Sequence, residues 1–111
     1  MKKVLFVCNA NRLRSPTAEQ IYGKRTDISV KSAGLFAGAE TELSQELVNW
    51  ADIIFVMEKA QQNKIIKKFK NVYNKKAVIN LNIPDDYEYM EQTLIDLLSA
   101  KLDSYIGRPV L

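Results

Sequence analysis

The sequence of 111 residues predicts an α/β fold, a parallel sheet covered by helices on both faces in three layers. Uninterrupted apolar runs such as Val4-Leu5-Phe6-Val7 and Ile53-Ile54-Phe55-Val56-Met57 are the pattern of strands buried on both sides. Segments of helical periodicity separate these runs, and the elements alternate βαβαβαβα along the chain.

The first strand is Val4-Leu5-Phe6-Val7. A helix starts near Ser15-Pro16, where serine accepts from free amides and proline is tolerated at the first helical position, and continues through Ala18, Ile21 and Tyr22. Residues 28–33 alternate as a weaker second strand. The second helix, capped by Thr41 or Ser44, carries Leu43, Leu47, Val48 and Trp50 towards Ala51. Ile53 to Met57 is the strongest strand, and a third helix covers residues 59–69 with Ile65, Ile66 and Phe69 on one side. Ala77-Val78-Ile79 with Leu81 forms the fourth strand. The last helix carries a stripe of Leu94, Leu97, Leu98, Leu102, Tyr105 and Ile106, closed by Gly107 and then Pro109. With no internal repeat, linker or low-complexity stretch, residues 1–111 read as one domain.

Composition narrows the chemistry. At 47% hydrophobic and 26% charged the chain can build one core. It has no histidine, which excludes Ser-His-Asp and Cys-His catalysis and histidine-ligated zinc within one chain. Its one cysteine, Cys8, allows no intrachain disulfide and no thiolate cluster. The net charge of +3 mildly favours anionic partners. Much of the excess, Lys59, Lys64, Lys67, Lys68, Lys70, Lys75 and Lys76, reads as a solvated helix face, because no aromatic residues interleave it as nucleic-acid binding requires. The apolar stretch after Met1-Lys2-Lys3 stops at Asn9, short of a signal peptide, and no membrane-spanning run occurs. The expected location is the cytoplasm, without a nucleic-acid or membrane partner.

Ligands of parallel sheets bind beyond the carboxyl ends of the strands, which points at Cys8 and the loop after it. Cys8-Asn9-Ala10-Asn11-Arg12-Leu13-Arg14-Ser15-Pro16 sets a cysteine and an arginine with five residues between them, between a strand and a helix start. A turn of this length can curl its backbone N–H groups inward as an anion-binding nest at the positive helix end, and Arg14 adds a planar bidentate clamp for phosphate. The same field favours the ionised thiolate of Cys8, the attacking form, and Ser15 can donate a hydrogen bond to it. Attack on a phosphomonoester then gives a phosphocysteine whose oxygens rest on the nest and on Arg14. A cysteine alone at the end of a buried strand is more often a small core side chain. The arginine at one prescribed place, the serine after it and the proline-marked helix start tip the balance to chemistry. Without histidine the leaving oxygen needs a proton from a carboxyl. Asp85, in Ile83-Pro84-Asp85-Asp86-Tyr87 after the fourth strand, lies at the same sheet edge and is the candidate acid and then base, although Pro-Asp-Asp is also ordinary turn chemistry.

These residues resemble the low-molecular-weight protein tyrosine phosphatases. Val4 to Cys8, Asn11, Arg14-Ser15-Pro16 and Ala18-Glu19 look like that family's signature; Ser32-Ala33-Gly34 resembles the end of its second strand, and Ala51 to Ile54 with Val56-Met57 its third-strand block. Pro84-Asp85-Asp86-Tyr87 sits where the family has Asp-Pro-Tyr. The resemblance implies a four-stranded parallel sheet, no metal or organic cofactor, and hydrolysis of phosphotyrosine in proteins or of another aryl phosphate. Cys8, Arg14 and Asp85 would be catalytic; Asn9, Ala10, Asn11, Arg12, Leu13 and Ser15 would bind phosphate, Asn11 through side-chain bonds to the loop backbone, and Tyr87 would flank the substrate ring.

The chain also departs from that pattern. Ala10 replaces the family's usual glycine, which implies strain if its φ is positive. Leu13 replaces a second cysteine, leaving Cys8 open to irreversible oxidation. Asp86 replaces proline and adds a negative charge beside Asp85. A segment between Gly34 and Leu43 is shorter than in larger members, which implies a shallower cleft and resembles a short branch of small bacterial phosphatases. Arg12, on the exposed side, reads equally as an attractor of acidic peptides or as a solvated arginine. Three rivals are an arsenate reductase, which needs further cysteines, a phosphosugar-carrier domain of a sugar transport system, which has no use for the Arg14 clamp, and a non-hydrolytic phosphate- or phosphotyrosine-binding module on the same fold.

Overall fold

The computed structural model describes residues 2–69 and 77–106. Its order is β1 (Lys2–Cys8), α1 (Arg14–Tyr22), β2 (Ile28–Gly34), α2 (Gln45–Trp50), β3 (Ile53–Val56), α3 (Lys59–Lys68), β4 (Ala77–Asn80) and α4 (Gln92–Ile106). The apolar runs pair into one four-stranded sheet in the order β2-β1-β3-β4, every pair parallel.

Period two divides the sheet between two cores. Val4, Phe6, Cys8, Phe55 and Met57 face Ala18 and Tyr22 of α1 and Leu94, Leu98 and Leu102 of α4. Leu5, Val7, Ile54 and Val56 face Val48 beyond α2's first turn and Ile65 of α3. A strand covered on both faces has no polar side, which is why Val4 to Val7 run apolar without a break, all of them fully buried. Because β1 lies between β2 and β3, the first crossover leaves it on one side and the next element pairs on the other. The winding direction reverses there, and the crevice this opens lies at the carboxyl end of β1, where Cys8 sits.

The element ends depart from expectation in ways that bear on the site. Ser15 does not cap α1: the N-cap is Leu13, without a side-chain cap bond, and Ser15 and Pro16 lie inside the first turn. The hydroxyl of Ser15 is engaged elsewhere, and Thr17 donates instead to the Leu13 carbonyl at 2.6 Å. Ser44 rather than Thr41 caps α2, accepting from the Leu47 amide at 3.2 Å. Glu58 caps α3 in a reciprocal capping box with Gln61. Met57 and Leu81 fall just outside their strands yet remain buried, bridged by the Leu81 amide to the Val56 carbonyl at 2.9 Å. Tyr105 of the α4 stripe is half exposed, with its ring edge on Phe55. Lys59, Lys64, Lys67 and Lys68 are exposed along α3, whereas Lys70, Lys75, Lys76, Gly107 and Pro109 lie outside the described residues. No helix among the described residues is long and apolar enough to cross a membrane.

Candidate active site

The loop after β1 takes its shape from the chain that leaves β2. Cys8 and Gly34 are register partners at the ends of their strands. From there the two segments run on together: Leu35 donates to the Cys8 carbonyl at 3.0 Å, Phe36 to the Asn9 carbonyl at 2.9 Å, and Glu40 to the Ala10 carbonyl at 3.1 Å. In a planar trans peptide the N–H of the next residue points opposite to the carbonyl. The amides of Asn9, Ala10 and Asn11 are therefore turned away from residues 35–40. No backbone N–H from Asn9 to Ser15 has a hydrogen-bond partner among the described residues. A row of unpartnered donors at the start of a nine-residue helix is an arrangement that can receive an anion.

Gly34 makes this close approach possible. A Cβ there would lie 2.7 Å from the Asn9 carbonyl oxygen and 2.9 Å from the Asn11 nitrogen, both backbone atoms that cannot swing aside. Gly34→Ala is expected to cost about 1–3 kcal/mol of stability, as overpacking does, and to weaken binding of inorganic phosphate. Chemical denaturation and a phosphate titration of the same variant check both effects.

The left-handed residue of the loop is Asn11, at φ 55°, and not Ala10. Asparagine tolerates that conformation, so the strain expected from alanine in place of glycine does not arise. The Asn11 side chain bonds no backbone of the loop; its Oδ1 accepts from Ser15 Oγ at 2.9 Å. Ser15 Oγ also lies 2.9 Å from Cys8 Sγ. A serine hydroxyl has one proton for these two neighbours. With Cys8 as a thiol, the S–H donates to Ser15 and the hydroxyl donates to Asn11; with Cys8 ionised, the hydroxyl turns to the sulfur. Both residues are buried, so the switch occurs away from solvent.

Arg14 is 2% exposed and is oriented from one side. Its Nη1 donates to Glu58 Oε2 and to the Ile83 carbonyl, each at 2.8 Å. Both Nη1 protons are thus engaged, and the Nε–Nη2 edge is the one left for a planar bidentate contact. Asp85 lies next to that edge, with Oδ1 3.6 Å from Nε, and its side chain is 59% exposed. A cleft of about 220 Å³ brings together Cys8, Asn9, Ala10, Arg12, Leu13, Arg14, Phe36 and Asp85. A wider depression of about 580 Å³ on the other side of Arg12 includes Glu19, Glu40 and Tyr89 but neither Cys8 nor Asp85.

Some expected residues lie elsewhere. Tyr87 does not line the cleft; it is partly buried and packs onto the core beneath α1 and α4. Phe36, half exposed, stands at the cleft instead, because the bonds of residues 35–40 to the loop carry it there. Asp86 is exposed and does not line the cleft. Arg12 pairs with Glu40 at 3.6 Å on the surface, a contact worth little. Three further residues shape the site: Glu58 and Gln61, and Thr17, whose Oγ1 accepts from the Met90 amide at 2.9 Å and so ties the segment after Asp85 to α1. Glu58 had a signal in the sequence, since it follows the strongest strand and must lie at the same sheet edge as Cys8.

The family model described as low molecular weight phosphotyrosine protein phosphatase matches residues 3–46. A comparison with curated proteins finds no match. Among solved structures, an arginine phosphatase from Geobacillus stearothermophilus is similar at 23% identity, over 94% of this chain and 94% of that one, with a TM-score of 0.67. The tyrosine phosphatase Wzb from Escherichia coli K30, in complex with phosphate, is similar at 17% identity, over 94% and 95%, with a TM-score of 0.73. A low molecular weight phosphotyrosine phosphatase from Vibrio cholerae O395 is similar at 24% identity, over 95% and 97%, with a TM-score of 0.69. At these identities the structural likeness speaks for the fold; the sequence match covers the strand, loop and helix that hold Cys8, Arg14 and Ser15. The chain is thus similar to the low molecular weight phosphotyrosine protein phosphatases in sequence over residues 3–46 and in fold over nearly its whole length.

Proposed function

We propose that the chain hydrolyses phosphomonoesters, with phosphotyrosine in proteins or a similar aryl phosphate as substrate, through a phosphocysteine on Cys8. The observation that carries this reading is the run of unpartnered amides from Asn9 to Ser15 next to Cys8 and Arg14. The amides and the Nε–Nη2 edge of Arg14 hold the phosphoryl oxygens. Cys8 Sγ attacks phosphorus, the P–O bond breaks, and Asp85 gives its proton to the leaving oxygen. Water then attacks phosphorus and loses a proton to Asp85; the P–S bond breaks and the thiolate returns under the Ser15 hydroxyl. Phosphate entering the cleft displaces Asp85 from the edge of Arg14, which frees the carboxyl for this work. Phe36 takes the part first given to Tyr87, as the aromatic neighbour of the substrate ring. The setting we propose is the cytoplasm, where reducing conditions keep a lone thiol in use, and we treat the whole chain as one catalytic domain without a cofactor.

The name of the Geobacillus neighbour raises phosphoarginine as a second substrate, cleaved at a P–N bond by the same residues. Rates on three phosphopeptides decide. Phosphotyrosine is expected to exceed phosphoserine by about a hundred-fold, as a shaped pocket discriminates. A faster rate on phosphoarginine changes the substrate class and leaves the chemistry standing. No hydrolysis above buffer on any of them, with phosphate still bound, makes the chain a binding module.

A further inference from the structure

We propose that Gln61 is a positioning residue of the phosphate site, holding the loop through Asn9 and the guanidinium of Arg14 through Glu58. The inference rests on the phosphate-site reading above. Gln61 is 1% exposed, and its carboxamide makes four hydrogen bonds. Oε1 accepts from the Met57 amide at 2.8 Å and from the Glu58 amide at 3.0 Å. Backbone N–H groups can only donate, so these two bonds determine which way the amide faces. Nε2 must then point into the site, where it donates to Asn9 Oδ1 at 3.1 Å and to Glu58 Oε2 at 3.2 Å.

The two halves of this side chain do different work. The oxygen closes the N-terminus of α3, which is helix capping and concerns stability. The nitrogen joins the turn after β3 to the loop after β1, and helix capping has no use for that bond. Asn9 lines the cleft, and its N–H is one of the unpartnered amides. Tethering its side chain limits rotation of the peptides on either side, so these donors are already aimed when phosphate arrives. Glu58 Oε2 is shared between Gln61 Nε2 and Arg14 Nη1. Gln61 thereby holds the carboxylate that decides which edge of Arg14 faces the cleft.

Gln61→Glu separates the halves. The carboxylate keeps acceptor oxygens for the Met57 and Glu58 amides, loses the donor, and brings a second negative charge against Glu58. Gln61→Met removes both halves. Binding of inorganic phosphate by calorimetry and thermal unfolding are measured on the full chain and both variants. Phosphate affinity is expected to fall about ten-fold or more in each, the size expected for a lost hydrogen bond to a charged group. The unfolding temperature is expected to fall in both variants, in Gln61→Glu because a buried carboxylate faces that of Glu58 and in Gln61→Met because the cap is lost. Unchanged phosphate affinity in either folded variant, whatever its unfolding temperature, makes Gln61 a helix cap and overturns the inference while the site reading stands. Failure of the unsubstituted chain to bind phosphate overturns the site reading and this inference with it.

Discussion

Replacing Cys8 with serine is expected to lower turnover of para-nitrophenyl phosphate by at least about four orders of magnitude, as loss of a catalytic nucleophile does. Phosphate binding is expected to survive. The two expectations come from different atoms: in the proposed mechanism the oxygens rest on backbone amides and on Arg14, none of which the substitution touches, whereas sulfur makes the bond to phosphorus. A serine hydroxyl at this position stays protonated at neutral pH and is a far weaker nucleophile than a thiolate. Cys8 is 3% exposed, so a purely structural thiol would also tolerate serine with modest loss of stability. Rate and stability together discriminate, because only the catalytic role predicts a collapse of rate in a folded protein. Steady-state kinetics with a denaturation curve of the same preparation measure both.

Asp85→Asn is expected to cost about 10²- to 10⁴-fold on a phosphotyrosine peptide, the usual contribution of a general acid. The loss on the first step should be much smaller for para-nitrophenyl phosphate, whose leaving group departs without a proton. Hydrolysis of the intermediate still lacks its base, so the variant should release one equivalent of para-nitrophenol in a burst and then slow. The geometry supports this division. Asp85 is exposed at the mouth of the cleft and touches only the outer edge of Arg14, so neutralising it leaves the nest and the core intact. Equal effects on the two substrates, with no burst, would assign proton transfer to another group.

Much of the fold was legible because its strands are short and buried on both faces. Val4 to Val7 and Ile53 to Met57 can do little else with so little polarity, and they pair in the expected sheet. The Cys8-Arg14-Ser15 spacing was legible for a similar reason, since five residues between a strand and a helix leave few paths for the chain. What the sequence hid depends on contacts between distant segments. Ser15 before Pro16 has the local signature of a cap, but the sulfur of Cys8 and the side chain of Asn11 engage its hydroxyl instead. Tyr87 and Phe36 are both aromatic residues near the cleft in the chain order, and which one reaches it is decided by bonds from residues 35–40 to the loop. The positive φ passes to Asn11 because asparagine bears it more easily than alanine, a choice that residue spacing does not reveal. Gln61 carries a capping signature whose amide also happens to reach Asn9, across 52 positions of sequence.

The most direct test of the account is intact-protein and peptide mass spectrometry of Asp85→Asn, acid-quenched during turnover of para-nitrophenyl phosphate. The account predicts one added phosphoryl group per chain, located on the peptide that contains Cys8 and absent from the Cys8→Ser, Asp85→Asn double variant. Turnover without any phosphorylated chain, or a phosphoryl group on another residue, would contradict it.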